Sequence, residues 1–171
     1  VIVPKIASAS IGRVVEGILS VLNKSGYQML LAVTQNNPKK ELEYLTTLRE
    51  KQVDGVILVA TVFTTEHRQV LKELVVPVVI VGQRLSGYCC VYHDDYHASY
   101  ELTKLLLEKG RKRLGYIGAI LQDKAVGAER YRGFQEAVCK YGLEELAKNY
   151  VIASFTVASG YKKAEELMQK C

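Results

Sequence analysis

The densest run of chemically able side chains is His93-Asp94-Asp95-Tyr96-His97. On a helix, His93 and His97 lie one turn apart, a spacing that can hold a metal. A metal site needs a further ligand, and none stands out beyond this run. Asp94 and Asp95 are adjacent, which places them poorly for sharing one substrate as an acid–base pair. The plainer reading is that His93 ends a strand and one of the aspartates caps a helix. Arg130 stands early in an amphipathic helix, beside Tyr131 and Phe134. A guanidinium there can grip hydroxyls or a phosphate through paired N–H donors, or it can form an ordinary surface salt bridge. The basic run Lys109, Arg111, Lys112, Arg113 surrounds Gly110 and reads as a solvated helix end whose cations suit the dipole.

Other chemistry is missing. No GxGxxG turn, no GxxxxGK phosphate loop and no GxSxG nucleophile elbow occurs. Cys89, Cys90, Cys139 and Cys171 form neither a CxxC pair nor a zinc spacing. Adjacent Cys89 and Cys90 read as small core residues of a strand, and free cysteines fit a reducing, cytoplasmic setting. We therefore expect no metal, no cofactor and no catalytic residue.

These residues must be held by a scaffold, and the pattern of the chain describes it. The chain has 171 residues, 49% apolar and 24% charged, an ordinary globular composition. Twenty-three basic against 18 acidic residues give a net charge of +5, too mild by itself to indicate nucleic acid. The apolar stretches Val56 to Phe63 and Leu74 to Val81 are far short of the ~20 residues that span a bilayer. No signal peptide pattern is seen, and the sequence opens at Val1 inside a strand, so we expect a piece of a longer protein.

Strand and helix patterns alternate. Strands are expected at Val1 to Val3, Tyr27 to Val33, Val53 to Ala60, Val78 to Val81, Cys89 to Tyr92, Leu114 to Ile117 and Tyr150 to Ala153. The first helix carries Ile11, Val14, Val15, Ile18 and Leu22 on one face and closes at Gly26. A second follows cap Asn37 and Pro38, with Leu42, Leu45 and Leu48 inside. A third starts at Thr64 or Thr65, with Val70, Leu71 and Leu74. A fourth, capped by Asp94 or Asp95, places Ala98, Leu102, Leu105 and Leu106 inside and stops at Gly110. A fifth runs from about Val126 to Tyr141, and the last begins at Ser159. Such alternation gives parallel sheets flanked by helices. Ligands on these sheets bind beyond the carboxyl ends of the strands. That nominates Ala7 to Ser10, Thr34 to Asn36, Thr61 to Phe63, Gly82 to Arg84 and Tyr92 to Asp95.

A family resemblance runs the length of the chain. Val3-Pro4-Lys5-Ile6-Ala7-Ser8 resembles the opening of the LacI/GalR regulatory domain. In order, Glu41-Leu42-Glu43-Tyr44-Leu45, Val53-Asp54-Gly55-Val56-Ile57-Leu58, Val76-Pro77-Val78-Val79, the Lys109 to Gly118 segment, Glu129-Arg130-Tyr131-Arg132-Gly133-Phe134 and Ser159-Gly160-Tyr161 are similar to its later motifs. Ser8-Ala9-Ser10-Ile11, Gly82-Gln83 and His93-Asp94-Asp95 look most like repressors of sucrose, trehalose and related operons. The resemblance implies an α/β, periplasmic-binding-protein-like fold of two lobes. Residues 1–92 would form the N-terminal lobe and 93–171 a partial, truncated C-terminal lobe, whose strands lack some of their covering segments.

It also implies an effector-binding and dimerisation domain of a transcriptional repressor, not an enzyme. The partners would be a sugar or sugar phosphate in the inter-lobe cleft, a second copy in a homodimer, and operator DNA read by a headpiece absent from this chain. No membrane partner is expected. Carried over by position, the ligand residues are Ser8, Ser10, Arg13, Phe63, Gln83, Tyr92 and Arg130. Gly82 and Gln83 replace an acidic residue of several relatives, and Ser8-Ala9 replaces a common Asn-Pro. Two readings compete: a periplasmic-type sugar receptor of a transport system, and a small α/β enzyme using the His93 to His97 cluster.

Overall fold

The computed structural model describes residues 1–170, so Cys171 lies outside the described residues. Two compact units follow one another, Val1–Tyr92 and His93–Cys171.

In the first unit the chain runs β1 (Ile2–Val3), α1 (Ala9–Lys24), β2 (Ala32–Val33), α2 (Pro38–Glu50), β3 (Val56–Val59), α3 (Thr65–Glu73), β4 (Val78–Val81) and β5 (Cys89–Val91). The five strands are parallel in the order β2-β1-β3-β4-β5. Alternation along the strands splits their side chains between two faces. Ile2, Val56, Leu58 and Ile80 join Leu45 and Leu48 of α2 and Leu71 of α3 in one core. Val3, Ile57, Val59 and Val81 meet Ile11, Val14, Val15 and Ile18 of α1 on the other. Each fully buried Leu or Ile contributes about 1.5–3 kcal/mol. The strand expected over Tyr27 to Val33 is laddered only at Ala32–Val33, because β1 offers it just Ile2 and Val3 as partners. Cys89, expected in the core, is exposed: β5 is the outer strand of the sheet. Only Cys90 turns inward, with its Sγ against Leu85 and Tyr88 backbone atoms.

The second unit comprises α4 (Asp95–Glu108), β6 (Tyr116–Gly118), a π-helical turn (Lys124–Glu129), α5 (Arg130–Lys140), a 3-10 turn (Glu144–Lys148), β7 (Tyr150–Ile152) and α6 (Val157–Lys170). β6 and β7 form a parallel pair. The core holds Leu107, Leu114, Phe134 and Val138. Tyr116, Tyr131, Phe134 and Tyr150 stack beside it, with Tyr131 and Tyr150 centroids 4.2 Å apart. Helix ends follow one rule. After α1 and α4, Gly26 and Gly110 take φ of 75°, and the next amide reaches back to the Leu22 or Leu106 carbonyl.

The face of α4 departs from expectation. Leu102, Leu105 and Leu106 are exposed, as is Ala98, while Asp95, Thr103 and Leu107 are buried. The cause is Gly133. A Cβ there would overlap the Tyr96 carbonyl and come within 2.9 Å of the Tyr100 amide. Bare backbone lets α5 lie directly on α4, and the contacted stripe is Tyr96, Ser99, Tyr100 and Thr103. Thr103 satisfies its hydroxyl on the Ser99 carbonyl at 2.8 Å, so it is buried without an orphaned donor. The fifth helix also starts differently, as a π turn that becomes α-helical at Arg130, and the sixth starts at Val157 rather than Ser159.

Candidate functional site

Parallel strands bring the residues that follow them to one edge of the sheet. In the first unit that edge gathers Ser8 and Ser10 after β1, Phe63 after β3, Gln83 after β4 and Tyr92 after β5. Ser8 is the N-cap of α1 but leaves the helix amides uncapped. Its Oγ lies 2.9 Å from Ser10 Oγ instead. Arg13 is exposed on α1, one turn on. Gln83 is buried, and its amide donates to the Ala60 and Thr61 carbonyls at 3.1 and 2.9 Å. Gln83 thus fixes the loop that carries Phe63, and its donors are committed to that task. Tyr92 is half exposed, and a tyrosine ring there is of a type that stacks on apolar surface.

Behind this edge lies a polar cluster that sequence reading missed. His67 is wholly buried in the first turn of α3, closing a capping box with Thr64, and its Nε2 stands 3.4 Å from Glu41 Oε1. Phe63 sits edge-on against the same ring, centroids 6.3 Å apart. Burial pushes the Glu41 carboxyl up to about 7 and holds the His67 imidazole below its usual value, although Glu66 and the Pro38 backbone pull His67 the other way. Both groups favour their neutral forms. Glu41 Oε1, His67 Nε2 and the buried Thr34 Oγ1 lack a hydrogen bond of good geometry. The one available signal was positional: Glu41 and His67 each fall in the first turn of a capped helix.

In the second unit, Arg130 Nε donates to Asp95 Oδ1 at 2.5 Å. The Asp95 side chain is 5% exposed and that of Arg130 44%. Asp94 caps α4, accepting the His97 amide at 3.0 Å, so the plainer reading of the His93 to His97 run holds for it. His97 turns its ring to Asp94. Among the described residues, no group of three His, Cys, Asp or Glu side chains could hold a metal. Asp123, also missed, is buried. It caps the π turn through the Val126 amide at 3.0 Å, and burial raises its carboxyl. Arg130 lines a cavity of about 160 Å3 with Tyr116, Gly118, Ser154 and Phe155, at the carboxyl ends of β6 and β7. A larger cavity, about 460 Å3, lies at the opposite end of the first unit's strands among Val1, Tyr27, Gly55 and Pro77. Gln28, Lys51, Gln52 and Asp54 line it beside apolar residues, but it lies away from the carboxyl ends of the strands, where ligands of such sheets bind. Arg132 points elsewhere, pairing with Glu129 and lying 4.0 Å over the Tyr96 ring.

Comparison with known proteins identifies the family and the fold. A family described as periplasmic binding proteins and sugar binding domain of LacI family matches residues 1–171. The chain is 33% identical over 132 residues to the sucrose operon repressor of Staphylococcus xylosus, covering 77% of this chain and 41% of that protein. It is 27% identical over 172 residues to catabolite control protein A of Priestia megaterium, covering 99% and 52%. The crystal structure of the transcription regulator CcpA of Lactococcus lactis superposes with a TM-score of 0.85 at 29% identity, over 99% of this chain and 63% of that one. The chain thus spans about half the length of the curated relatives it matches. Among the described residues, no helix is long and apolar enough to cross a membrane.

Proposed function

This chain belongs to the family of periplasmic binding proteins and LacI-type sugar-binding domains, and we propose that it is the effector-sensing part of a carbohydrate-responsive transcriptional repressor. The observation that carries this reading is the gathering of polar and aromatic side chains at the carboxyl edges of both sheets. Ser8, Ser10, Arg13, Phe63, Gln83 and Tyr92 form the first unit's share of the effector site, and Arg130 the second's. Hydroxyls and the Arg13 and Arg130 guanidinium groups recognise sugar hydroxyls, and Phe63 and Tyr92 offer ring faces to the sugar's C–H surface. The role is binding, not catalysis. Residues 1–92 act as the N-terminal lobe and 93–171 as part of the C-terminal lobe. Operator DNA is read by a headpiece outside these residues, in a cytoplasmic homodimer. The curated relatives reported above are regulators, which supports a repressor over a transport receptor.

The test is a thermal-shift panel of sugars and sugar phosphates on the intact protein, followed by anisotropy on its selected DNA site. A ligand at 100 times its Kd stabilises by about 2.7 kcal/mol. The expected result is one carbohydrate that both stabilises the protein and changes its DNA affinity. Stabilisation by none of them overturns the reading.

A further inference from the structure

The charge around Arg130 bears on which carbohydrate the site accepts. Among the described residues, Arg130 is the sole cation lining the second unit's cavity. Its Nε–H is held by Asp95, a carboxylate almost sealed from water. A second buried acid, Asp123, is close enough for the two to influence each other. Two acids therefore attend one base. A guanidinium binds phosphate strongly when its charge is available and its paired N–H edge is open. Here one charge is already balanced, and a doubly charged phosphate would approach Asp95 as well as Arg130. The four Nη hydrogens remain, and they can donate to neutral hydroxyl oxygens at no such electrostatic cost. Tyr116 and Phe155 add ring surface to the same cavity.

Resting on the effector reading above, we propose that the second unit selects an unphosphorylated sugar, with Asp95 as the positioning residue that orients Arg130 and cancels its charge against phosphate esters. Asp95 touches no ligand in this scheme. It sets both the direction and the net charge of the group that does.

Calorimetry on the intact protein tests this with matched probes: sucrose, trehalose, glucose and fructose, each beside its 6-phosphate. In the pair that binds, the neutral sugar is expected to bind at least tenfold more tightly. Asp95→Asn, nearly isosteric, frees the guanidinium charge and is expected to narrow that preference at least tenfold by strengthening the phosphate ester. A phosphate ester that binds wild type as tightly as its parent sugar overturns the proposal while leaving the effector reading intact. An unchanged preference in a folded Asp95→Asn protein overturns the role of Asp95. Absence of binding by every probe of both classes overturns the effector reading, and this proposal with it. The wild-type comparison stands even if the variant fails to fold.

Discussion

Each unit buries one carboxylate in the first turn of a helix, and the two are neutralised in opposite ways. Glu41, in α2, faces the His67 imidazole, whose own burial disfavours charge, and its carboxyl keeps a proton up to about pH 7. Asp95, the first residue of α4, faces a guanidinium. Helix starts favour negative charge, but by only a few tenths to about 1 kcal/mol, which does not offset removal from water. A proton can be withdrawn by changing pH, whereas a guanidinium keeps its charge wherever proteins fold. The first unit has therefore built a titratable joint, and the second a fixed strut.

The strut depends first on close helix contact. Gly133→Ala should cost about 3 kcal/mol, since the new methyl must push α5 off α4 backbone rather than off a flexible side chain. Urea unfolding followed by tyrosine fluorescence would show it, and a midpoint like wild type would mean that the helices do not touch so closely.

Next comes an asymmetry within the strut. Arg130→Ala leaves a carboxylate that is 5% exposed without its cation and should cost about 2 kcal/mol. Asp95→Asn leaves a guanidinium that water can reach, and should cost about 1 kcal/mol. Arg130→Ala is thus not a clean binding variant, and its loss of effector affinity must be read beside its stability. Equal costs would refute the difference in burial.

The joint should answer to pH. Glu41 titrates at about 7 when folded against an ordinary 4.5, so its contribution is full below 4.5 and is lost as pH rises through about 7. His67 runs the other way, because its folded value lies below 6.5. Its contribution is full above 6.5 and is lost as pH falls through the lowered value. The two slopes oppose one another at mildly acidic pH, and above 6.5 the Glu41 loss stands alone. Wild-type stability should therefore fall near neutrality, by up to about 1.4 kcal/mol per pH unit. Glu41→Gln should abolish that fall and expose the acid-side loss from His67. Melting series from about pH 5 to about pH 8 would check this, and parallel curves would dismiss the joint.

The smallest effect belongs to Arg132. Its guanidinium rests on the Tyr96 ring and pairs with Glu129 on an exposed surface. Arg132→Ala should cost under about 1 kcal/mol and leave effector affinity unchanged. A binding defect there would move the site to the wrong face of α5.

Much of the first unit was legible because its strands are nearly continuous apolar runs and its clearest cap, Asn37 before Pro38, is chemically distinctive. The face of α4 was not. Leucine spacing marks a stripe, but which stripe a helix buries is decided by its neighbour, and here a glycine two segments later drew in Tyr96, Ser99 and Thr103. The motif around Arg130 was visible in the sequence, but the partner of its guanidinium was not, since Asp95 and Asp94 compete for the same capping role until the helix is built. Glu41 and His67 escaped notice because a charged residue in an amphipathic helix reads as solvated.

The π-helical turn ahead of Arg130 has a consequence for how this segment can change length. The Ala128 amide reaches five residues back to Asp123, and Gly127 passes so close to Ile120 that a side chain would strike its carbonyl. Such a turn holds one residue more than an α turn, and each residue advances a helix by about 100°. Losing that residue would relax the turn into ordinary helix, and the backbone would lose little. Gly133 and Phe134, however, hold the rest of α5 in register with its neighbours. Arg130 is the first residue of that helix and keeps its aim with it, so the shift falls on the other side of the turn, on the Asp123 cap and the Ile120 contact. A single deletion, neutral by the standards of a surface loop, would here shift the Ile120 to Asp123 loop against the helix in one genetic step, which makes this turn a hinge of divergence rather than of motion.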